Sequence, residues 1–187
     1  SLGDQVQAWI NNGYCTGAPM DDTLFVVDSA YYDLADIIAG HNPFVILPGM
    51  TASIATNIGI LQECGARNIL FAYIPPLEAS PIVPNDPTAP SLSAFYNYVL
   101  LQPMIQSYAS EPDMNVSVVD YFWFVSGMMA APGAFGLTNV SDSCVSCGVT
   151  DGAFCYDRDG YWFWDPLHPT KKVHAVRAGE ALRVLTE

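Results

Sequence analysis

The sequence predicts an α/β fold with a parallel sheet. Short apolar segments of strand length alternate with longer segments whose apolar residues recur at helical spacing, and this order favours parallel strands joined by right-handed crossovers. The chain has 187 residues, of which 51% are hydrophobic, so it is long enough to bury a core. Because no repeat, low-complexity tract or long charged run divides the chain, we expect a single domain over residues 1–187.

Strands are expected wherever a short apolar run is rich in β-branched and aromatic residues. Buried strands are predicted at residues 23–27, 68–74 and 116–121, and the aromatic run 161–164 predicts a strand end. Residues 75–90 contain several prolines and predict a loop. The predicted strands therefore follow one another with connections long enough for helices.

Helices are expected where apolar residues share one face. The predicted segments are residues 2–10, residues 51–64 with Gly65 as a stop, a helix capped by Ser91 that runs to about residue 108, and a last helix capped by Thr170. Ile54, Ile58 and Leu61 form the apolar face of the second helix. In the last helix the predicted apolar face consists of Ala175, Ala178, Leu182 and Leu185.

The charge balance limits the classes of partner. The formal net charge is −13, from 6 Lys and Arg against 19 Asp and Glu, and such a chain repels nucleic acid. Charged residues make up 13% of the chain, about half of the roughly 25% that soluble domains usually carry, so we expect exposed apolar surface. No run reaches the roughly 18 to 20 uninterrupted apolar residues of a membrane span. The chain starts at Ser1 without Met or a signal peptide, which suggests a processed or incomplete product.

The strongest chemical signal is the segment Asp165-Pro166-Leu167-His168, which follows the aromatic run. An aspartate three residues before a histidine can fix the orientation and tautomer of the imidazole for general-base catalysis. Asp-Pro pairs also initiate ordinary turns, and on this spacing alone a purely structural turn is the simpler interpretation.

This segment resembles the last conserved block of GDSL-type esterases and lipases, the SGNH hydrolase superfamily, in which phrases such as Phe-Trp-Asp-x-x-His-Pro-Thr carry the catalytic Asp and His. Similar phrases precede it in the same order as in that family: residues 65–70, Pro75-Pro76-Leu77, Phe95-x-Asn97 and residues 135–140. The likeness covers essentially all of the chain, but not all of the family's domain.

The resemblance implies a three-layer α/β/α sandwich of the flavodoxin-like kind, with catalytic loops at the carboxyl ends of the strands. It implies a Ser-His-Asp ester hydrolase in which His168 is the base and Asp165 orients it. The implied substrates are acyl esters of small molecules, lipids or carbohydrates, and the mechanism needs no cofactor or metal.

The chain departs from the family at the nucleophile and the oxyanion hole. Gly3-Asp4-Gln5 has Gln where the serine of Gly-Asp-Ser is required, and Asp28-Ser29 lies in what aligns as the third block. In that block Ala30 replaces a Gly and Tyr32 replaces the oxyanion-hole Asn, while Asp33 is kept. The loss of one such donor typically costs roughly a hundred- to thousand-fold in rate.

Two functions therefore stay open. One is an ester hydrolase whose nucleophile is missing from this chain, and the other is an inactive SGNH-like scaffold, a pseudoenzyme, that acts in binding or assembly. If the strands of the missing blocks are absent, strand 23–27 becomes an open apolar edge. We expect that edge to pair with the N-terminal part of the same precursor or with a second copy.

Five cysteines are present, and Cys144, Cys147 and Cys155 cluster before the Asp-x-x-His segment. Zinc needs a fourth ligand, so we expect a disulfide from Cys155 to either Cys144 or Cys147; the odd count leaves one thiol free or paired outside the chain. Asn115 and Asn139 begin glycosylation sequons. With the cysteines and the resemblance, they predict a secreted glycoprotein.

Overall fold

The computed structural model describes residues 1–28, 30–83, 89–145 and 154–187. They form an α/β fold of parallel strands with flanking helices, which confirms the predicted fold class. The described residues divide into two compact units. The first contains Ser1–Ile74 and Ala94–Val119, and the second contains Pro75–Ser93 and Asp120–Glu187.

The first unit is built on a three-stranded parallel sheet with the order β1-β2-β3. The strands are β1 (Met20–Val27), β2 (Ala66–Ala72) and β3 (Asn115–Val119). Its first three helices are α1 (Leu2–Asn11), α2 (Tyr31–Ile38) and α3 (Pro43–Glu63). A long helix follows, which consists of α4 (Ala89–Phe95), a π-helical segment (Tyr96–Leu101) and α5 (Gln102–Ala109). The first residues of α4 belong to the second unit.

The core of this unit lies where α3 meets the central strand β2. Ile54, Ile58 and Leu61 are buried on one face of α3, as predicted from their spacing. Gly65 has φ +109°, and a Cβ at this position would lie 1.9 Å from the carbonyl oxygen of Ala18. Only glycine is compatible with that contact, which confirms Gly65 as the end of the helix.

Two sequence predictions for this unit are wrong in detail, and one helix was not predicted. β1 is not a buried strand, because Leu24 and Val26 are 41% and 60% exposed. α3 begins eight positions before residue 51, since Asn42 caps it by accepting a hydrogen bond from the backbone N–H of Phe44 and Pro43 suits its first turn. α2 was not predicted, because eight residues with a left-handed cap give little periodic signal.

α3 also corrects the expectation that no segment of the chain has the length and composition of a membrane span. Its most apolar 18-residue window has a mean hydropathy of 1.7, and 28% of that window is buried. Pro48 interrupts the apolar run in the sequence, but it lies inside α3 without ending the helix. Its inward face is nevertheless the packed core face described above.

The described part of the second unit contains a two-stranded parallel sheet and the helices α6 (Tyr121–Ala130) and α7 (Lys171–Thr186). β4 (Asn139–Ser143) pairs with β5 (Tyr161–Phe163), which confirms the strand predicted from the aromatic run. α6 begins at Tyr121 because Asp120 caps it through the N–H of Trp123, so the third strand ends earlier than predicted.

Two helix predictions need correction here. α4 begins at Ala89, so Ser91 lies inside it and not at its cap. The apolar face predicted for α7 is exposed at all four residues, Ala175, Ala178, Leu182 and Leu185. The buried residue is Val173, and Arg177 places its guanidinium 4.2 Å from the ring centre of Tyr121. A long basic side chain that stacks on an aromatic ring thus occupies the inward face.

Candidate active site

The loop between β5 and α7 carries the Asp-x-x-His segment. The backbone N–H of Trp164 donates to the carbonyl of His168 at 2.8 Å, and the N–H of Thr170 donates to the carbonyl of Trp162 at 2.9 Å. Phe163 and Pro169 form an antiparallel bridge. The chain therefore closes into a tight loop at the carboxyl end of β5, directly after two buried aromatic residues, Trp162 and Phe163.

Asp165 and His168 are in direct contact within this loop. The Nδ1 atom of His168 lies 2.8 Å from Oδ2 and 3.0 Å from Oδ1 of Asp165. The backbone N–H groups of His168 and Leu167 also donate to Oδ1, at 2.7 and 2.9 Å. One carboxylate therefore holds both the ring and the backbone of the histidine.

The hydrogen bonds favour the charged form of Asp165. Partial burial by itself raises the pKa of this carboxyl, but the bonds from the N–H groups of His168 and Leu167 and from the His168 ring outweigh it and hold the pKa below its ordinary value. A carboxylate that accepts from Nδ1 fixes the proton on that nitrogen and leaves the Nε2 lone pair to accept a proton. Since 57% of the His168 side chain is exposed, a substrate can reach the ring.

The proline-rich loop holds the other side of this turn. The hydroxyl of Ser80 donates to the carbonyl of Pro166 at 2.8 Å, and the N–H of Ile82 donates to the same oxygen at 3.1 Å. Ser80 is 2% exposed. Its role depends on a contact across 86 positions, and no local sequence signal indicates it.

Thr170 stands at the N-cap position of α7, but its hydroxyl makes no capping bond. Instead it donates to the carbonyl of Tyr161 at 2.8 Å. The helix start is where the sequence predicted it, and the predicted capping interaction is replaced by a bond that ties α7 to β5.

Ala30 and Tyr32, the candidates for the oxyanion region, belong to the first unit, whereas Asp165 and His168 belong to the second. Ala30 precedes α2 with φ 84°, a left-handed conformation. Tyr32 lies in the first turn of α2 and is 61% exposed. Both residues line a cleft of about 700 Å³ in the first unit, together with residues of α1 and α3.

Two disulfides are present among the described cysteines. Cys144 is bonded to Cys155, one of the two pairings expected, and Cys15 is bonded to Cys64, a pairing that the sequence did not indicate. Cys147 lies outside the described residues. The part of the chain that the structure describes contains no group of three or more His, Cys, Asp or Glu side chains arranged to hold a metal ion.

The two sequons differ in their surroundings. Asn115 is exposed at the start of β3, and its amide donates one hydrogen bond, to Oδ1 of Asn68 at 3.2 Å. Asn139 is partly buried, and its amide donates to Asp142 while its oxygen accepts from the N–H groups of Ser141 and Asp142. Only the first side chain is therefore available without the loss of several hydrogen bonds.

A parallel α/β scaffold with a carboxylate-oriented histidine at the end of a strand is an arrangement suited to hydrolytic chemistry. Residues 45–180 match the family model of GDSL-like Lipase/Acylhydrolase. Since this match covers well over half of the chain, the chain belongs to that family.

Several plant proteins are similar to the chain. It is 32% identical to GDSL esterase/lipase At1g71691 of Arabidopsis thaliana over 78 residues, 37% of this chain and 20% of that protein. It is 29% identical to GDSL esterase/lipase At4g28780 of the same plant over 130 residues, 60% of this chain and 35% of that protein. GDSL esterase/lipase 6 is 21% identical over 195 residues, 92% of this chain and 54% of that protein. The chain thus spans from about a fifth to about half of these relatives.

Proposed function

We propose that this chain supplies the acid–base half of a Ser-His-Asp carboxylic ester hydrolase, with His168 as the general base and Asp165 as the residue that orients it. The observation that carries the proposal is the contact between Nδ1 of His168 and the Asp165 carboxylate, 2.8 and 3.0 Å from its two oxygens. The substrates are acyl esters, as expected from the family.

In this reaction the serine oxygen attacks the ester carbonyl carbon, and Nε2 of His168 takes the serine proton. The tetrahedral intermediate collapses, the bond to the alcohol oxygen breaks, and His168 returns the proton to the leaving alcohol. Water then attacks the acyl-serine by the same two proton transfers and releases the carboxylic acid. Throughout, the ionised Asp165 stabilises the imidazolium without taking its proton.

The nucleophilic serine in this proposal comes from outside the 187 residues. Gly3-Asp4-Gln5 offers no hydroxyl in register: Asp4 lies in the first turn of α1, where it caps the helix with Ser1. The second candidate position, Ser29, lies outside the described residues. A nucleophile beyond the chain is in line with the greater length of the relatives.

Ala30 and Tyr32 represent the oxyanion region in this proposal. The left-handed φ of 84° at Ala30 is a conformation that glycine adopts freely, which supports the alignment of Ala30 with the family's Gly. A tyrosine in place of the oxyanion Asn lowers the reaction rate, by roughly a hundred- to thousand-fold where the hydrogen-bond donor is lost.

The edge of β1 is the proposed docking place for the missing segment. Among the described residues β2 is the strand paired with β1, and Leu24 and Val26 are exposed along it. If two copies paired their β1 strands antiparallel with Phe25 at the centre, Asp22 of one copy would lie opposite Asp28 of the other. Each copy also carries a net charge of −13. Like charges in such positions oppose pairing. We therefore assign the edge to a different, apolar strand with basic flanks rather than to a second copy.

The inactive scaffold is the second candidate function. It is favoured by the replacement of the oxyanion Asn by Tyr32, which is 61% exposed, and by the same open edge of β1. In that case the chain retains the Asp165–His168 turn as a structural element and acts in binding or assembly.

We also place the protein in the secretory pathway. Two disulfides are typical of an oxidising compartment. Asn115 is the expected glycosylation site, whereas the hydrogen bonds of Asn139 oppose modification there.

The proposal is tested on the tagged gene product that contains these residues, expressed together with whatever segment accompanies them. A fluorophosphonate probe labels activated serines, and mass spectrometry locates the label. Hydrolysis of p-nitrophenyl acetate is compared between the unmodified protein, His168→Ala and the matched control His174→Ala, which removes an exposed imidazole from α7.

We expect a labelled serine in a Gly-Asp-Ser sequence outside residues 1–187, and turnover that disappears only in His168→Ala. The isolated residues 1–187 should show no turnover that depends on His168. Turnover of the isolated chain that is lost in Ser29→Ala would instead make Ser29 the nucleophile. If neither protein shows His168-dependent turnover or labelling, the scaffold function replaces the hydrolase.

A further inference from the structure

Two aromatic rings stack beside the Asp165–His168 turn. Phe154 and Trp164 lie with their ring centres 5.6 Å apart and their planes at 29°. The guanidinium of Arg158 covers them, 4.9 Å from the ring centre of Phe154 and 6.0 Å from that of Trp164. We call these three side chains the aromatic platform.

The backbone holds the platform rigidly. The N–H of Val145 donates to the carbonyl of Trp164 at 2.8 Å, and Val145 forms an antiparallel bridge with Phe154. The Cys144–Cys155 disulfide joins the same two segments. Trp164 also donates its N–H to the carbonyl of His168, so the platform and the histidine share one anchored loop.

The platform faces solvent. Phe154 is 52% exposed, Arg158 is exposed and Trp164 is partly exposed. The stacked rings and the arginine therefore form a surface that a ligand can reach.

The chemistry of this surface fits a neutral sugar ring. A pyranose presents C–H groups on its faces, which pack on aromatic rings, and hydroxyls at its rim, which hydrogen bond with a guanidinium or carboxylates. Asp157 and Asp159 flank Arg158 and are exposed. A hydrocarbon chain on this surface would desolvate these charges without compensating hydrogen bonds. An anionic polymer would be repelled by the net charge of −13. Both classes of ligand are therefore disfavoured here.

We infer that the aromatic platform binds the carbohydrate part of an acylated saccharide and so presents its ester to His168. The presentation of the ester to His168 rests on the proposed hydrolase function. Binding of the unacylated saccharide is independent of catalysis and is measured separately.

The test uses the full chain and neutral cello-, xylo- and manno-oligosaccharides as probes, with affinity measured by titration calorimetry and by electrophoresis in gels that contain the corresponding soluble polysaccharides. Phe154→Leu keeps apolar volume without a ring, and Arg158→Gln removes the charge at similar size. Trp123→Ala is the matched control, because Trp123 is a 65% exposed aromatic residue on α6. Circular dichroism confirms that each variant is folded.

We expect at least one of the three probes to bind, with affinity lowered about threefold to tenfold by Phe154→Leu and lowered by Arg158→Gln, and unchanged in Trp123→Ala and His168→Ala. Retained binding in His168→Ala separates this inference from the hydrolase proposal. Absence of binding to all three probes, or equal binding by Phe154→Leu, overturns the inference. Phe154-dependent binding to neutral phosphatidylcholine vesicles instead of saccharides also overturns it, in favour of a lipid surface.

Discussion

Replacement of Asn97 by alanine removes two hydrogen bonds that hold the backbone just beyond β2. The oxygen of the Asn97 amide accepts from the N–H of Ile74 at 2.9 Å, and its nitrogen donates to the carbonyl of Ile74 at 2.9 Å. Asn97 is 0% and Ile74 1% exposed. The π-helical segment Tyr96–Leu101 contains this side chain, and π-helical turns occur frequently at functional sites.

The expected cost follows from the burial of both backbone groups. A buried donor or acceptor left without a partner costs about 1–3 kcal/mol, so the loss of both partners costs roughly 2–6 kcal/mol. The lower end applies where water enters the space that the amide vacates. Since a domain of this size is stable by about 5–15 kcal/mol, the variant loses a large share of its free energy of unfolding.

Urea unfolding of Asn97→Ala and of the unmodified chain, followed by circular dichroism and tryptophan fluorescence, measures this loss. Gln106→Ala is the matched control, because Gln106 is an exposed amide side chain on α5 of the same long helix, and such a change is expected to stay within about 0.5 kcal/mol. Both probes should report one transition, as expected for a single domain. A loss below about 1 kcal/mol with an unchanged m-value would show that the two hydrogen bonds are not the main support of Ile74.

Three further changes test other parts of the structure. Removal of the Cys144–Cys155 disulfide by serine substitution, which opens a loop with a sequence separation of 11, should cost about 3 kcal/mol in urea unfolding; an unchanged midpoint would contradict this. Ala30→Gly relieves a left-handed φ of 84°, which costs about 1–2 kcal/mol, against about 0.4–1 kcal/mol of added unfolded-state entropy. Thermal unfolding should therefore show a gain of up to about 1.6 kcal/mol in the free energy of unfolding, and a loss would refute the assigned strain. The folded-state pKa of Asp165 is lowered, so its stabilisation is present above the unfolded value of about 3.9 and is lost as the pH falls below it. The stability advantage of the unmodified chain over Asp165→Asn should therefore shrink below about pH 4 in chemical unfolding, and a constant difference down to pH 2 would be inconsistent with the depressed pKa.

The sequence by itself determined the class of fold and located the candidate Asp165–His168 pair. The alternation of strand and helix patterns predicted the parallel α/β architecture, and the helical spacing of Ile54, Ile58 and Leu61 predicted the core face of α3. Gly65 and the turn from Asp165 to His168 were also predicted correctly in position. These features have local signals in the sequence: helical spacing, a glycine at a helix end and the Asp-x-x-His turn each involve residues only a few positions apart.

Only the tertiary structure decided which surfaces pack and which residues support the site. α7 buries a face that includes Arg177 because the ring of Tyr121 offers a stacking partner 4.2 Å away, and the apolar face predicted from periodicity is exposed. The bond from Ser80 to Pro166 and the Cys15–Cys64 disulfide join residues far apart in the chain. Periodicity records which residues are apolar, but burial depends on the partner that folding brings opposite each face, and that partner lies elsewhere in the sequence.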